Sequence, residues 1–391
     1  MSRFTTFSAT YRIVTPMFCG GAGQEAELRL SSFKGALRFW WRTLQWGKVK
    51  NERELWKKEA ELFGSSDQGY GQSKVRMRLD GEPSLEPTLR VGDVFQGGKL
   101  LGAHYLGYGV MEAFSSQKSG KKAGQLTREM IPGGSFTVAF RCGPNLDESQ
   151  LEEIQKTLIL VGTTGGLGSK SRKGYGSLTL TQLKIDGSPV EMNHDPKERL
   201  KRALGTHPNG QPDWTAWSSQ SRVVTVTGES DPLRLLDKLG RELVFFRSWG
   251  RDGKVLGQNH EKNFVEDHDL SKGQRVGIAH PKRVVFGLPH NYGKGNSNSV
   301  APKKLDRRAS PLFFHIHQDS PKSTPVAVVS FLPSLFLPDG EQLSSFDDTV
   351  NLDRSENFWQ PVHGYLDRLL GKPGATKKRE TNLKAEEVPL V

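Results

Sequence analysis

A glycine-rich segment at residues 162–177, Gly-Thr-Thr-Gly-Gly-Leu-Gly-Ser-Lys-Ser-Arg-Lys-Gly-Tyr-Gly-Ser, constrains this chain more than any other stretch. It holds six glycines, one aromatic residue, three cations and no acidic residue. Glycine permits positive φ angles and lets backbone N–H groups come close to a ligand, while cations attract an anion. The composition predicts a phosphate-binding loop, whose contacting residues are Gly165, Gly166, Gly168, Ser169, Lys170, Ser171, Arg172 and Lys173.

The segments on either side of this glycine loop exclude two common phosphate-binding folds. Residues 147–161 have the capping residues and apolar spacing of a helix, and residues 177–185 alternate as a strand does. A dinucleotide-binding fold needs the reverse order, and a Walker loop needs glycine where Ser169 precedes Lys170. A mobile, solvated surface loop is the alternative, but such a loop has no need of an apolar ring. That ring, Tyr175, could stack on a base or anchor the loop to the core.

A second basic feature lies on an early helix, predicted to begin at Ser31 and to run through Trp46. Apolar residues on this helix recur at the 3.6-residue period of a core face. Lys34, Arg38 and Arg42 fall four residues apart and form a separate stripe. A solvated helix face is the ordinary explanation of such a stripe. Because neighbouring residues on the helix include no acid that could pair with it, the sequence favours contact with phosphate.

The order of elements predicts an α+β fold built from two ferredoxin-like (RRM-like, βαββαβ) domains with insertions. Strands are expected at 4–15, 75–79, 136–140 and 177–185 in the first domain, with helices at 31–46, 53–63 and from 147. In the second domain strands are expected at 222–227, 283–286, 312–317 and 326–332, with helices at 231–246 and 358–370. The predicted boundaries are a first domain at 1–190 with an insertion at 81–134, a linker at 191–220, a second domain at 221–371, and a charged, mobile tail at 372–391.

Composition narrows the partners of this chain. Its net charge of +12 favours an acidic partner such as nucleic acid or an anionic membrane surface. No apolar run approaches the roughly 18 residues of a membrane span, and the first residues lack the apolar core of a signal peptide, so a cytoplasmic location is expected. Cys19 and Cys142 are the only cysteines, and their spacing supports neither a disulfide framework nor a thiolate metal site. No cofactor is predicted.

Histidines are the candidates for catalysis, because histidine can act as a general acid or base. His104 is the only one of ten in the first predicted domain. His315 and His317 would share one strand face, where paired surface histidines are a commoner explanation than a metal site. The triplet 267–269, Asp-His-Asp, is more often a solvated acidic turn than a catalytic group. The sequence therefore predicts a protein that is not an enzyme.

The glycine loop resembles the glycine-rich signature of the RAMP superfamily of CRISPR-associated RNA-binding proteins. Four further segments sharpen the resemblance to the first RAMP subunit of type III-B, or Cmr, CRISPR effectors. They are Thr15-Pro-Met-Phe-Cys-Gly-Gly-Ala22, Arg29-Leu-Ser-Ser-Phe-Lys-Gly-Ala-Leu-Arg-Phe-Trp-Trp-Arg42, Phe286-Gly-Leu-Pro-His290 and Arg307-Arg-Ala-Ser-Pro-Leu312. Together with the loop they span most of the chain.

This resemblance implies two ferredoxin-like domains and a place at the head of a ribonucleoprotein, near the 3′ end of the guide. It implies that the subunit helps to capture target RNA in antiviral defence and does not cut it. The implied partners are guide crRNA, target RNA and other Cmr subunits, above all a neighbouring RAMP subunit. Arg307 and Arg308 could contact RNA or another subunit. A RAMP endoribonuclease that processes guide precursors and a protein-only assembly or capping subunit remain alternatives.

Overall fold

The computed structural model describes residues 4–390 except 24, 68, 206–207, 250, 275, 293–298, 347, 353 and 356. The first half of the chain contains β1 (Thr5–Ile13), α1 (Leu30–Thr43), α2 (Glu52–Phe63), β2 (Val75–Leu79), β3 (Ser84–Leu85), α3 (Leu101–Leu106), β4 (Gly134–Cys142), α4 (Glu148–Val161), β5 (Leu178–Ile185), β6 (Ser188–Pro189) and α5 (Pro196–Leu204), with a 3₁₀ turn at Phe95–Gly98.

The second half contains β7 (Arg222–Thr227), α6 (Pro232–Arg247), β8 (Lys254–Val255), β9 (Gln258–Asn259), α7 (Val265–Ser271), β10 (His290–Asn291), β11 (Ser299–Pro302), β12 (Leu312–His317), β13 (Val326–Phe331), β14 (Gln342–Ser345), β15 (Asp348–Asn351), α8 (Gln360–Leu370) and β16 (Lys384–Val388). Two further 3₁₀ turns lie at Arg251–Gly253 and Lys282–Phe286. The protein is of the α+β class, as the sequence predicts.

The first sheet has the strand order β2-β4-β1-β5-β6, with β3 paired to β4, and every pair is antiparallel. One face of this sheet packs against α1 and α4, because the alternating apolar residues of β1 and β4 meet the apolar faces of both helices. The Tyr11 hydroxyl crosses this core and donates a hydrogen bond to the Leu158 carbonyl at 2.9 Å. The capping residues predicted at 147–150 are confirmed, since Asp147 and Gln150 form a capping box at the start of α4. The predicted bounds of the early helix are wrong, because α1 runs from Leu30 to Thr43 and begins after Arg29 without a side-chain cap.

The second sheet has the order β12-β13-β7-β16, again with antiparallel pairs throughout. Its principal elements follow the same sequence as those of the first sheet: strand, helix, two strands, helix, strand, with α6 and α8 as the helices. The expectation of a strand at residues 283–286 is wrong, because this segment is a 3₁₀ turn. The buried Asp267 carboxylate accepts hydrogen bonds from the backbone N–H groups of Lys282 and Arg283 and holds the turn.

The expectation of a mobile tail after residue 371 is wrong. Residues 384–388 form β16, which pairs with β7 as the edge strand of the second sheet. Leu383 and Val388 are buried, and Arg222 donates to the Glu387 carboxylate at 2.6 Å. Apolar anchoring of a charged edge strand therefore extends the second half of the fold beyond the predicted boundary.

The segments interpreted as an insertion and a linker are both packed against the fold. Helix α3 of the insertion lies on α6, where a Cβ added at Gly102 would stand 2.1 Å from the Asp237 carbonyl oxygen. The Asp237 carboxylate accepts hydrogen bonds from the backbone N–H groups of Gly102 and Ala103 at 2.7 and 3.1 Å. The linker contributes α5 and the buried Trp217 to the first core. Neither segment is a free connection between the two halves.

Among the helices that the structure describes, none combines the length and the apolar character that crossing a membrane requires.

Candidate nucleic-acid interface

The glycine loop is a fixed part of the fold, so the alternative of a mobile, solvated surface loop is wrong. Backbone hydrogen bonds hold residues 167–169 on both sides. The Leu167 N–H donates to the Gly176 carbonyl at 2.9 Å, and the Ser169 N–H donates to the Phe18 carbonyl at 2.8 Å. Gly168 has a φ of 82°, and a Cβ there would lie 2.4 Å from the Phe18 carbonyl oxygen. Glycine is required here for close packing of backbone on backbone.

The other two glycines predicted to cradle phosphate also serve packing. A Cβ at Gly165 would lie 2.6 Å from the Val161 carbonyl oxygen and 2.7 Å from the Trp40 indole nitrogen, and one at Gly166 would lie 2.8 Å from the Gly176 carbonyl oxygen. A side chain at any of these three glycines would therefore collide with the fold, so close packing requires glycine at each of them.

Tyr175 is an anchor within the protein. Its ring is fully buried, and its hydroxyl donates to the Ala103 carbonyl of α3 at 2.7 Å. Burial raises the pKa of this phenol well above its usual range. A ring in this position cannot stack on a base, so the RNA-contacting role that the sequence allows Tyr175 is wrong, and the anchoring role fits the structure. Its contact instead ties the glycine loop to the insertion.

Arg172 joins the glycine loop to the second sheet. Its carbonyl accepts from the Phe314 N–H of β12 at 3.0 Å, and its guanidinium donates to the Ser310 carbonyl at 3.1 Å. The guanidinium carbon lies 4.6 Å from the centre of the Phe313 ring and 5.1 Å from that of Phe39. Burial, together with the nearby charge of Arg308, lowers the pKa of Arg172 to about 10.

Lys173 is held among other cations. Its ammonium nitrogen lies 5.8 Å from the centre of the Phe314 ring, and the side chain is half-buried. Burial lowers its pKa to about 7, and the charges of Arg247, Lys170 and Arg172 act in the same direction. An anion placed here would restore the proton, because a nearby negative charge favours the ammonium form.

Lys170 is the third cation of the glycine loop, and Ser169 directly precedes it. Lys170 has a φ of 65°, an uncommon backbone conformation for a residue with a side chain. Burial lowers the pKa of Lys170, and the charges of Arg307 and Arg128 lower it further. Arg128, from the insertion, donates to the Ser169 hydroxyl at 3.1 Å. A cation of the insertion therefore borders the loop.

The two motifs from the second half of the chain meet the glycine loop. Leu288 and Arg308 exchange backbone hydrogen bonds of 2.8 and 3.1 Å, which join the segments 286–290 and 307–312. Arg308 donates to the Ser334 hydroxyl at 2.5 Å, and burial lowers the pKa of its guanidinium. Arg307 beside it is exposed. Three motifs that are far apart in the sequence thus form one surface.

This surface is a cleft of about 610 Å³, called the basic cleft below. Its lining residues are all described, and none is acidic or a histidine. None of its cations forms an ion pair with an acid in the part of the chain that the structure covers. They are Lys170, Arg172, Lys173, Arg247, Arg307 and Arg308. Unpaired like charges in a cleft create a positive potential that attracts a polyanion.

Aromatic rings stand beside these cations. Tyr105, Tyr108 and Phe114 line the same cleft, and Tyr108 and Phe114 are 67% and 49% exposed. Exposed rings next to unpaired cations are the combination that single-stranded nucleic acids use, since bases stack on rings while phosphates meet cations. Neither the two exposed rings nor Arg247 is predicted from the sequence as a site residue. Arg247 ends α6, and its position opposite the loop follows only from the packing of the two halves.

The stripe on α1 has a different environment, and one premise of its interpretation is wrong. The carboxylate of Glu59, from α2, accepts hydrogen bonds from Arg38 at 2.6 Å and from Arg42 at 2.5 Å. Lys34 donates to the Phe63 carbonyl of α2 at 3.1 Å. The stripe therefore faces α2, whereas Phe39 on another side of α1 contacts Arg172 of the glycine loop. One carboxylate from the next helix therefore pairs with two of the three cations of the stripe.

The histidine and acidic candidates have structural partners. His315 and His317 are buried rather than at the surface, and the ring nitrogen Nδ1 of His315 lies 2.8 Å from the Gly165 carbonyl oxygen. Asp267 is also buried and accepts from the Arg283 guanidinium at 2.9 Å, so it is not part of a solvated turn. Within the described residues no group of three or more histidines, cysteines or acids could hold a metal ion.

Comparison with known proteins finds a family match in the first half of the chain. The model of the RAMP superfamily matches residues 10–179, a region that begins in β1 and includes the whole glycine loop. This part of the chain is therefore similar to the RAMP superfamily. Over 340 residues, the chain is 26% identical to the CRISPR system Cmr subunit Cmr1-1 of Pyrococcus furiosus, which covers 82% of this chain and 87% of that one.

Two further comparisons also find similarity to Cmr1 proteins. Subunit Cmr1-2 of the same organism is 27% identical over 185 residues, which cover 44% of this chain and 92% of that one. The crystal structure of apo Cmr1 from Pyrococcus furiosus superposes with a TM-score of 0.54 and 18% identity, covering 98% of both chains. The similarity in structure therefore extends over both halves of the fold.

Proposed function

We propose that this chain is a non-catalytic, RNA-binding subunit of a type III-B CRISPR ribonucleoprotein in the cytoplasm. It occupies the head of the complex, near the 3′ end of the guide, and helps to capture target RNA. Its partners are guide crRNA, target RNA and other Cmr subunits, including a neighbouring RAMP subunit. Similarity to Cmr1 subunits over most of the chain supports membership of such a complex.

The basic cleft is the observation that carries the RNA-binding part of the proposal. Six cations line it without an acidic partner among the described residues, and exposed rings stand beside them. Burial lowers the pKa values of Lys170, Arg172 and Lys173, and repulsion by neighbouring cations lowers them further. A phosphate backbone would relieve this repulsion, because it brings negative charge between them.

Each half of the chain is assigned to the ferredoxin-like class in this proposal. The order strand, helix, strand, strand, helix, strand and the antiparallel strand orders β5-β1-β4-β2 and β16-β7-β13-β12 support that assignment. The insertion, the small β10-β11-β14-β15 sheet and the turn at 282–286 are additions to the two modules. The basic cleft lies where the modules and the insertion meet, a common position for a binding site.

The absence of catalysis in this proposal is supported by the contents of the basic cleft. Its lining, described in full, offers no histidine or carboxylate to act as general base or acid. The buried histidines that approach the loop make contacts within the protein. Lys173 is the lining residue whose pKa falls to about 7, so it is the group to examine if cleavage is observed.

The test compares two triple variants in salt titrations of binding to single-stranded RNA. Counterion release gives a slope of about −0.7 in log K against log salt for each neutralised phosphate. Replacing Lys170, Arg172 and Lys173 with alanine should make the slope less steep by up to about 2 units. The matched control, with Lys34, Arg38 and Arg42 replaced, should change it much less, because Glu59 already pairs with two of them.

Three outcomes separate the alternatives. An unchanged slope in the loop variant, with normal thermal unfolding, would remove the basic cleft as the RNA site. Cleavage of repeat RNA by the purified protein, lost in a single histidine or Lys173 variant, would establish the processing enzyme. Loss of assembly with the other subunits, with RNA binding intact, would establish a protein-only role. Arg307→Ala, at an exposed position, serves as the loop-independent variant if the triple variant unfolds.

A further inference from the structure

The open face of the first sheet carries a second group of cations, away from the basic cleft. This is the face opposite α1 and α4, and a depression of about 560 Å³ lies on it. Arg76 and Arg78 of β2, Arg141 of β4 and Lys184 of β5 line it, and all its lining residues are described and include no acid. These four residues are called the sheet patch below.

Strand register places the four cations in two adjacent rows. Arg76 stands directly opposite Arg141, which in turn stands opposite Thr6 of β1. Arg78 lies in the next row, which continues through Ala139 and Ser8 to Lys184. Like charges directly opposite one another on neighbouring strands destabilise a sheet. Arg76 and Arg141 are both exposed, so the register places two like charges opposite each other at the surface of the fold.

The arginines are only partly satisfied by the protein. Arg76 donates to the side-chain oxygen of Gln72 at 2.8 Å, and Arg78 pairs at 3.0 Å with Asp80 on the rim. The guanidinium of Arg141 lies 3.8 Å from the centre of the Phe4 ring, which is 41% exposed. Arginine combines charge with a planar fork of donors that matches phosphate, and it stacks on rings as well.

The sheet patch is separate from the basic cleft. Strand β5 leaves the glycine loop at Leu178, and Lys184 lies at its far end, about 20 Å along the strand. A ligand held in the cleft must therefore extend along the sheet to reach both surfaces.

We propose that the sheet patch binds the sugar-phosphate backbone of a second RNA segment, beyond the segment held in the basic cleft. The inference rests on the proposed function for the class of ligand only, since its geometry is independent of the cleft. It assigns the first sheet a role in contacting RNA through its open face. In this arrangement the RNA lies along the strands, and several of its phosphates neutralise the opposed arginines.

The test uses the full-length chain with mixed-sequence single-stranded RNAs of about 6 and about 20 nucleotides. The double variant R76A with R141A should make the salt slope for the long RNA less steep by up to about 1.4 units. The same variant should leave binding of the short RNA unchanged, because the cleft holds it. The matched control, K272A with K322A, removes two exposed lysines outside both surfaces and should leave both slopes unchanged.

A cleft variant, K170A with R307A, separates this inference from the proposed function. If the cleft variant binds both RNAs more weakly and the sheet variant loses affinity only for the long RNA, the proposed function and the sheet patch are both supported. Normal binding in the cleft variant, with loss in the sheet variant, removes the cleft and keeps the sheet patch. A sheet variant that behaves like the lysine control overturns the inference.

Folding and the identity of the partner are checked in the same variants. The midpoint of thermal unfolding should not fall in R76A with R141A, since the change removes a repulsive pair. If that variant nevertheless unfolds, R78Q with K184Q tests the second row, and normal binding of the long RNA there overturns the inference. Unchanged RNA binding with loss of assembly with the other subunits also overturns it, in favour of an acidic protein partner.

Discussion

The α1 stripe and the basic cleft hold similar cations but differ in their acidic partners. On α1, one buried carboxylate, Glu59, accepts from Arg38 and Arg42, and the lysine of the stripe contacts a backbone carbonyl. In the cleft, six cations have no acidic partner among the described residues. Burial lowers the pKa values of Arg172 and Lys173 in the cleft, and it also lowers that of Lys34 on the stripe. A row of basic residues therefore indicates a binding surface only once the acids of neighbouring elements are known.

The comparison also explains the position of each group. The stripe packs on α2, so its pairing stabilises the contact between two helices of one module. The cleft forms where the glycine loop, the insertion and two segments of the second half meet. Unpaired charge at such a junction costs stability, and a bound polyanion offsets that cost.

The largest expected difference in RNA affinity between the two regions concerns the exposed rings of the basic cleft. Replacing Tyr108 or Phe114 with alanine should weaken binding of single-stranded RNA by about 1–3 kcal/mol for each stacked base. Trp56 on α2, the helix that carries Glu59, is 42% exposed and is the matched control, for which we expect no loss. Fluorescence anisotropy with a labelled RNA measures all three variants. An equal loss in the Trp56 variant would show that rings near the stripe bind RNA too.

The next effect concerns the neutralised stripe itself. Glu59→Gln should lower the free energy of unfolding by about 1–3 kcal/mol, because two arginines lose a charged acceptor. The same change frees Arg38 and Arg42 and should steepen the salt dependence of RNA binding. Glu61→Gln, an exposed position on the same helix, is the control and should change stability by less than about 0.5 kcal/mol. Denaturant titration measures both, and equal stabilities would contradict the role of Glu59.

The pH dependence of RNA binding is expected to distinguish the basic cleft from the α1 stripe. The pKa of Lys173 is lowered to about 7, and a phosphate would raise it again. The protonated form binds the anion, so RNA affinity should rise about tenfold as pH falls from about 8 to about 6. Lys173→Met should remove most of this dependence, whereas Lys34→Met should keep it. A wild-type affinity that does not change over this range would contradict the assignment.

The smallest effect concerns the anchor beneath the cleft. Tyr175→Phe removes the hydrogen bond to the Ala103 carbonyl and should lower the free energy of unfolding by about 0.5–1.5 kcal/mol. Tyr108→Phe, at an exposed ring, should leave stability unchanged. Thermal unfolding measures both. If the two variants have equal stability, the Tyr175 hydroxyl contributes nothing to holding the loop on the insertion.

Much of the fold could be predicted from local patterns. The alternation of β1, the apolar period of α1 and the Asp147–Gln150 capping box each act within one element, so the sequence shows them directly. The turn at 282–286 could not be predicted, because the Asp267 carboxylate that holds it lies 15 residues earlier. Strand β16 was also missed, since its charged residues hide the apolar anchors Leu383 and Val388.

The candidate site could be predicted only in part, for the same reason. Lys170, Arg172, Lys173, Arg307 and Arg308 are found from charge and motif, and the structure brings them together. Whether they contact RNA remains a prediction. The roles of Tyr175 and the loop glycines depend on partners such as Phe18 and Ala103, which lie far away in sequence. The neutralising Glu59 belongs to another helix, beyond the reach of a pattern read along α1.

The contact between α3 and α6 makes the basic cleft depend on both halves of the chain. Gly102 and Gly240 pack backbone against backbone, and Tyr175 secures the loop to the same helix pair. A fragment that ends before β7 carries three of the six cleft cations and leaves them without the facing wall. Under the proposed function, affinity for RNA should therefore require the whole chain, and truncated copies should compete poorly for the ligand.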